Sequence, residues 1–188
     1  MLANLAYFGV EFAVARRIGS VSLFADSIDF LEDAAVNGLI LLGLAWSVRA
    51  RAQLGMVLAL ILLVPGVATL WTAWQQILSG AVPDARLLTL TGAGALAVNL
   101  WCAWILAKVR NQHGSLGLAA FLSARNDAIA NLAILAAGAL TALTLSRWPD
   151  LIVGFGIFSM NLDAARKVFE AARAEHRSGS RPVKSSRN

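Results

Sequence analysis

Six long apolar runs follow one another along almost the whole chain, and short polar connections separate them. The runs cover residues 2–17, 24–46, 53–78, 87–108, 115–143 and 151–170. An α-helix needs about 20 apolar residues to cross a hydrocarbon core about 30 Å thick, and the second to fifth runs reach that length. The pattern therefore predicts an all-α, polytopic membrane protein with six transmembrane helices.

The composition supports this fold class. Hydrophobic residues make up 58% of the 188-residue chain and charged residues only 14%, whereas soluble domains carry about 25% charged residues. We expect residues 1–175 to form a single six-helix transmembrane transport domain. Residues 176–188 are basic and polar and contain Pro and Gly, a composition typical of a disordered tail.

Lysine and arginine predict the orientation. If the N-terminus is inside, eleven of these residues fall in cytoplasmic segments and four in outside segments, which favours cytoplasmic placement of both termini. The basic tail suits anionic lipid headgroups of the bilayer better than nucleic acid. The expected location is a bacterial inner (plasma) membrane.

Two pairs of polar residues, each spaced four apart, interrupt apolar helical stretches. They are Asp29/Asp33 in the second run and Ser123/Asp127 in the fifth. Four residues make about one helical turn, so each pair projects from one face. A carboxylate within the hydrocarbon layer is costly unless it faces the bundle interior, water or a cation. The leading hypothesis is therefore a cation site.

The depths of these acids agree with one shared site. At 1.5 Å per residue, Asp29 and Asp33 lie ~10 and ~16 Å from the outer end of their helix. Asp127 lies ~18 Å from the inner end of the antiparallel fifth helix. Two antiparallel helices could thus bring the three carboxylates together near the middle of the membrane, where a hydroxyl such as that of Ser123, or an amide, would complete an oxygen-rich metal site.

Further polar residues extend the same helix faces. Arg125 points away from Asp127, and it must either extend towards the membrane surface or pair with an acid, for which Glu11 or Asp26 is a candidate. A group of polar residues is expected to support the metal ligands or to form a proton path: Asp26, Asn37, Asn126, Asn131 and Glu11.

An all-oxygen ligand set suits hard or borderline divalent ions. Carboxylate ligands must lose their protons to hold metal, so metal entry releases protons and protonation releases metal. Such a site could exchange protons for a divalent ion that is the substrate, with no prosthetic group required. No enzymatic activity is expected.

Three alternatives remain open from the residues alone. The acids could be structural contacts between helices, although such contacts contribute only about 0.6 kcal/mol on average. The protein could be an uncoupled metal- or proton-permeable membrane protein. Less favoured is a metal-dependent membrane enzyme, because the aspartate pattern lacks the Asp-Gly and Ala-Arg of phosphatidyl-alcohol transferases.

The residues also resemble a known family over nearly the whole chain. The first span carries Asn4-x-x-x-Phe8-x-x-Glu11, and the second fits an Ala-Asp-x-x-[His/Asp]-x-x-x-Asp pattern from Ala25 to Asp33. Asp127 matches an acid of the fifth span, and the sixth opens with Trp-Pro-Asp at residues 148–150. In these motifs the chain resembles the cation diffusion facilitator family.

The resemblance implies an antiporter, usually homodimeric, that moves divalent transition metals such as Zn, Cd, Co, Mn or Fe out of the cytoplasm in exchange for protons. It implies a transport site at Asp29, Asp33, Ser123 and Asp127, within a group formed by the first, second, fourth and fifth spans. Ser123 stands where a stronger ligand is usual. The expected subgroup is one that lacks the family's C-terminal cytoplasmic domain.

Overall fold

The computed structural model describes residues 2–43, 53, 66–109 and 114–179. Within these ranges the chain is all-α and no strand occurs, so the predicted fold class is confirmed. The helices are α1 (Leu2–Ile18), α2 (Val21–Gly43), α3 (residues 66–79), α4 (Ala85–Val109), α5 (Gly114–Thr144) and α6 (Trp148–Gly179).

The sixth helix is longer than the apolar run predicts. It continues to Gly179, so residues 176–179, expected to begin an irregular tail, are helical. This part of the helix is rich in Ala, Glu and Arg, which favour helix even where no apolar face requires it. Residues 180–188 of the expected tail lie outside the described ranges.

The connection between α1 and α2 is a tight turn at Gly19. Gly19 has a positive φ of 68°, and the Ser20 amide donates to the Ala15 carbonyl at 3.1 Å. This is the Schellman arrangement that ends many helices. The Ser20 hydroxyl then accepts from the Leu23 amide at 3.2 Å, so the same short turn caps the start of α2.

Asp84 fixes the start of α4. Its Oδ1 atom accepts hydrogen bonds of 2.9 Å from the amides of Arg86 and Leu87, which satisfies donors that the first helical turn leaves unpaired. Gly80 ends α3 in the left-handed conformation with φ of 68°. The connection between α3 and α4 is therefore set by local backbone chemistry.

Four helices form a closed group around the polar residues. Helix α1 packs against α2 and α4, and α5 closes the group by packing against α4 and α2. Helix α6 lies against α2 and α5. The core contains buried side chains from α1, α2, α4, α5 and α6. They are Ala15, Leu23, Phe24, Ala25, Ile28, Leu88, Ala130, Ile134 and Ile157.

Helices α2 and α6 approach closely at Gly154. A Cβ atom added there would lie 2.8 Å from the backbone amide nitrogen of Ser22. Since backbone cannot move aside as a side chain can, only glycine allows this distance. The contact holds the start of α2 against the first turns of α6.

The outward faces of the helices are apolar. Within the described residues, Ala85–Ile105 and Arg125–Thr144 are long and apolar enough to cross a membrane, with mean hydropathies of 1.5 and 1.6. Helix α2 carries acids in its second to fourth turns. Large exposed apolar side chains, unusual for a surface in water, include Trp71, Trp74, Leu90, Trp101, Trp104, Leu132 and Leu143.

Candidate metal site between α1, α2 and α5

The acids of the candidate site come from two helices of the four-helix group. Helix α2 supplies Asp29 and Asp33, α5 supplies Asp127, and all three side chains are partly buried. The i, i+4 spacing on α2 places its two acids on one face, as the sequence predicts. Asp29 and Asp127 lie close enough for their charges to interact, and so do Asp127 and Asp33.

In this structure the three predicted carboxylate ligands are not close enough together to bind one metal ion jointly. Among the described residues, no group of three or more His, Cys, Asp or Glu side chains has the spacing needed to hold a metal ion. Joint ligation by Asp29, Asp33 and Asp127 therefore requires α2 and α5 to shift, or side chains to change rotamer. The ligand assignment stays a prediction.

Asp33 is held by the first helix. The Nδ2 atom of Asn4 donates a 3.0 Å hydrogen bond to Oδ2 of Asp33, and Asn4 is buried. On its other side, the Sγ atom of Cys102 donates to Oδ1 of Asn4 at 3.6 Å. The chain of contacts from α4 through α1 to α2 fixes the orientation of the Asn4 amide and hence of the carboxylate.

A second contact joins α2 and α5 deeper in the group. Nδ2 of Asn131 donates to Oδ1 of Asp26 at 3.3 Å and to the backbone carbonyl of Asp127 at 2.7 Å. Asn131 thus ties Asp26 to the helical turn that carries Asp127. Both Asp26 and Asn131 are fully buried, in agreement with a supporting role next to the predicted ligands.

Glu11 lies against Asp26 and has no positive partner among the described residues. Neither carboxylate oxygen of Glu11 has a hydrogen-bond partner, and neither does Oδ2 of Asp26. Of the two alternatives expected for Arg125, extension outward is the one observed, because Arg125 is exposed while Glu11 and Asp26 are completely buried. A long charged side chain avoids the cost of burial by extending outward.

Three predicted residues contribute less information. Asn126 is exposed on α5. The backbones of Ser123 and Asn37 belong to α5 and α2, whereas their side chains lie outside the described part of the structure. Their assigned roles therefore stay predictions.

A well-connected carboxylate, Asp150, lies at the outer end of α2. It accepts hydrogen bonds from the hydroxyls of Ser20 and Ser22, from the amides of Val21 and Ser22, and from Nε2 of Gln76, over 2.6–3.2 Å. The sequence reveals Asp150 only as part of the Trp-Pro-Asp motif. Ser20 and Ser22 at the start of a helix are the signal that could have indicated an acidic partner.

Tyr7 is a further contact that the sequence does not predict. Its hydroxyl donates to the carbonyl of Thr91 on α4 at 2.6 Å, and the ring packs on Phe30 of α2 with centroids 5.2 Å apart. Gly94 allows this approach, because a Cβ atom there would collide with the Tyr7 hydroxyl. Tyr7 therefore holds three helices of the group together.

Comparison with known proteins assigns the chain to a family. No curated protein sequence matches it. Residues 1–174 match the model of the cation efflux transmembrane domain, which covers all six helices except the last residues of α6. The chain therefore belongs to the cation efflux (cation diffusion facilitator) family, and it is an integral membrane protein of a family that transports divalent cations.

Proposed function

We propose that the protein exports divalent transition-metal ions, of the Zn, Cd, Co, Mn and Fe class, from the cytoplasm in exchange for protons. The metal is the substrate, and Asp29, Asp33, Asp127 and Ser123 are its ligands near the middle of the membrane. The proposal includes a homodimer in a bacterial inner membrane, as the family resemblance implies.

The observation that carries this proposal is the excess of acid within the helix group. Glu11, Asp26, Asp29, Asp33 and Asp127 belong to helices that contact one another, whereas Arg125, the basic residue nearest along α5, is exposed. Burying several carboxylates without a cation is unfavourable. A divalent ion or protons would balance the charge, and an exchange of one for the other keeps it balanced through the cycle.

The contacts around the predicted ligands support their role. Metal-ligating groups in proteins are usually oriented by a further hydrogen bond. Asn4 supplies such a bond to Asp33. Asn131 does the same for the backbone of the turn that carries Asp127.

Transport in proteoliposomes tests the proposal. Purified protein would be reconstituted, a pH gradient imposed, and uptake of Zn²⁺, Cd²⁺, Mn²⁺, Fe²⁺ and Co²⁺ followed with an internal metal-sensitive dye. We expect accumulation of at least one ion that collapses when a protonophore removes the gradient and is absent in Asp127→Ala. Metal flux that does not depend on the pH gradient would instead indicate an uncoupled pathway. Equal accumulation by Asp127→Ala and the wild type would exclude Asp127 from the ligand set.

A further inference from the structure

A second polar cluster lies beside the predicted metal ligands. It consists of Glu11 on α1, Asp26 on α2 and Asn131 on α5, and all three side chains are completely buried. The carboxyl groups of Glu11 and Asp26 are near enough to hydrogen-bond directly. None of the three is among the ligands proposed for the transported metal.

Four oxygen atoms of this cluster are left without a partner. They are both carboxylate oxygens of Glu11, Oδ2 of Asp26 and Oδ1 of Asn131. Only Oδ1 of Asp26 receives a donor, the Asn131 amide at 3.3 Å. A buried polar atom without a partner costs free energy, so four in one cluster indicate a missing hydrogen or cation.

In the part of the chain that the structure describes, the surroundings offer no side chain that could supply it. Other acids interact electrostatically with the pair: Asp29 with both members and Asp127 with Asp26. From α1, Tyr7 faces the pair, but its hydroxyl donates to the Thr91 carbonyl. From α6, Asn161 donates to the carbonyl of Ala25. The charged or titratable groups that face the pair from the described helices are thus acids and one phenol already engaged.

We infer that Glu11 and Asp26 share one proton, at a site separate from that of the transported metal. One carboxyl group keeps its O–H and donates it to an oxygen of the other, so the pair carries one negative charge instead of two. Two buried carboxylates in direct contact cannot both be ionised at small cost. The shared proton also joins one oxygen of Glu11 to one oxygen of Asp26, so two of the four unpartnered oxygens gain a hydrogen bond.

Asn131 links this proton to the metal site. The same amide group donates to Asp26 and to the carbonyl of Asp127. Loss of the shared proton adds a negative charge at the pair, and through Asn131 this charge acts on the helical turn that carries a predicted ligand. The pair would thus hold a proton of the exchange cycle. This coupling role rests on the proposed function, whereas the protonation itself does not.

Infrared spectroscopy of the metal-free protein in lipid tests the protonation. A protonated buried carboxyl group gives a C=O stretching band that shifts in D₂O. Beside any bands of protonated acids at the metal site, we expect the pair to give one such band in the wild-type protein at neutral pH. This band should be lost in Glu11→Gln, in which the amide N–H replaces the shared proton as donor to Asp26. Glu170→Gln makes the same chemical change at an exposed position of α6 and should leave the band intact.

A second variant, with a check of its helical content, keeps the test decisive if Glu11→Gln does not fold. Asp26→Asn replaces the other acid, and its amide can donate to Glu11, so it should also lack the band while retaining wild-type helical content by circular dichroism. An undiminished band in both folded variants would overturn the shared proton.

Transport separates the coupling role from the protonation. In proteoliposomes we expect Glu11→Gln to retain downhill metal flux but to lose part of the dependence of metal accumulation on the pH gradient, and Glu170→Gln to match the wild type. Full dependence on the gradient in Glu11→Gln would overturn the coupling role even if the infrared band is lost. If the wild-type protein shows no proton-coupled flux, the proposed function fails, and the infrared result still decides whether the pair holds a proton.

Discussion

Asn4 donates a hydrogen bond of 3.0 Å to Asp33 across the interface of α1 and α2. If Asp33 binds metal, this bond orients a ligand, and loss of such a bond typically weakens metal affinity by about 10–100-fold. We therefore expect Asn4→Ala to raise the dissociation constant for the transported metal by about that factor, measured by calorimetric titration in detergent.

Asn161→Ala is the matched control for this prediction. Asn161 also reaches α2 with its amide, but it donates to the backbone carbonyl of Ala25 at 3.2 Å and not to a carboxylate. Metal affinity should therefore stay unchanged. Equal affinity in Asn4→Ala and the wild type would show that the bond does not serve metal binding.

Removal of either α2 carboxylate of the predicted site should abolish transport. Asp29→Ala and Asp33→Ala each delete a charged oxygen ligand, and a neighbouring side chain cannot replace it without moving a helix. We expect metal uptake at the level of protein-free liposomes, together with normal expression and membrane insertion. A wild-type uptake rate in either variant would exclude that residue from the ligand set.

Ser123 should control metal preference. A neutral hydroxyl is a weak ligand, whereas imidazole and thiolate favour zinc, cadmium and other borderline or soft ions. We expect Ser123→Ala to reduce transport less than loss of a carboxylate does, and Ser123→His and Ser123→Cys to shift preference towards Zn²⁺ or Cd²⁺. Competition between metals in the liposome assay measures this, and unchanged selectivity in both variants would mean that Ser123 does not contact the metal.

Asp150 should contribute strongly to stability. Its carboxylate accepts five hydrogen bonds, four of them from Ser20, Val21 and Ser22 and one from Gln76. A single hydrogen bond to a charged group is worth about 1.5–3 kcal/mol, so Asp150→Asn should lower the free energy of unfolding by at least about that amount. Thermal unfolding in detergent would show a lower Tm.

Asp84→Asn is the control for Asp150→Asn. Asp84 caps α4 at an exposed position, and asparagine caps a helix as well as aspartate does, so the Tm should hardly change. A Tm for Asp150→Asn as high as that of Asp84→Asn would contradict the stabilising role.

The contact of α6 with α2 should tolerate no side chain at position 154. Gly154→Ala would place a methyl group 2.8 Å from the Ser22 amide nitrogen, and such overpacking costs about 1–3 kcal/mol. Gly156→Ala is the matched control on the same helix, because no atom lies within 4 Å of its added Cβ. We expect a lower Tm for the first variant alone, and equal melting of both would show that the helices can separate without cost.

The sequence predicts the fold closely, since apolar runs and turn residues act locally. Five of the six helices begin within three residues of the predicted runs. The i, i+4 spacing also predicts correctly that Asp29 and Asp33 share a helix face. These features follow from helical periodicity, which can be read directly from the order of the residues.

Contacts between helices were harder to predict, because they depend on helix rotation and tilt. Nothing in the sequence pairs Asn4 with Asp33, or Asp150 with the start of α2. For the same reason the sequence leaves open whether Arg125 pairs with Glu11 or Asp26 or extends outward, and the structure shows it exposed on α5. The spacing of the three candidate ligands likewise depends on how closely α2 and α5 approach.

The hydrogen bonds of Asp150 fix one end of α2, and this end is the pivot for any tilt of the helix. They secure the outer end of this helix at Ser20, Val21 and Ser22, whereas Asp33 lies ~18 Å further along the axis and Asp26 only ~8 Å. Any tilt of α2 about its secured end therefore displaces Asp33 more than twice as far as Asp26. A tilt of α2 therefore moves a predicted metal ligand more than it moves the Asp26 member of the carboxyl pair, which lies nearer the fixed end.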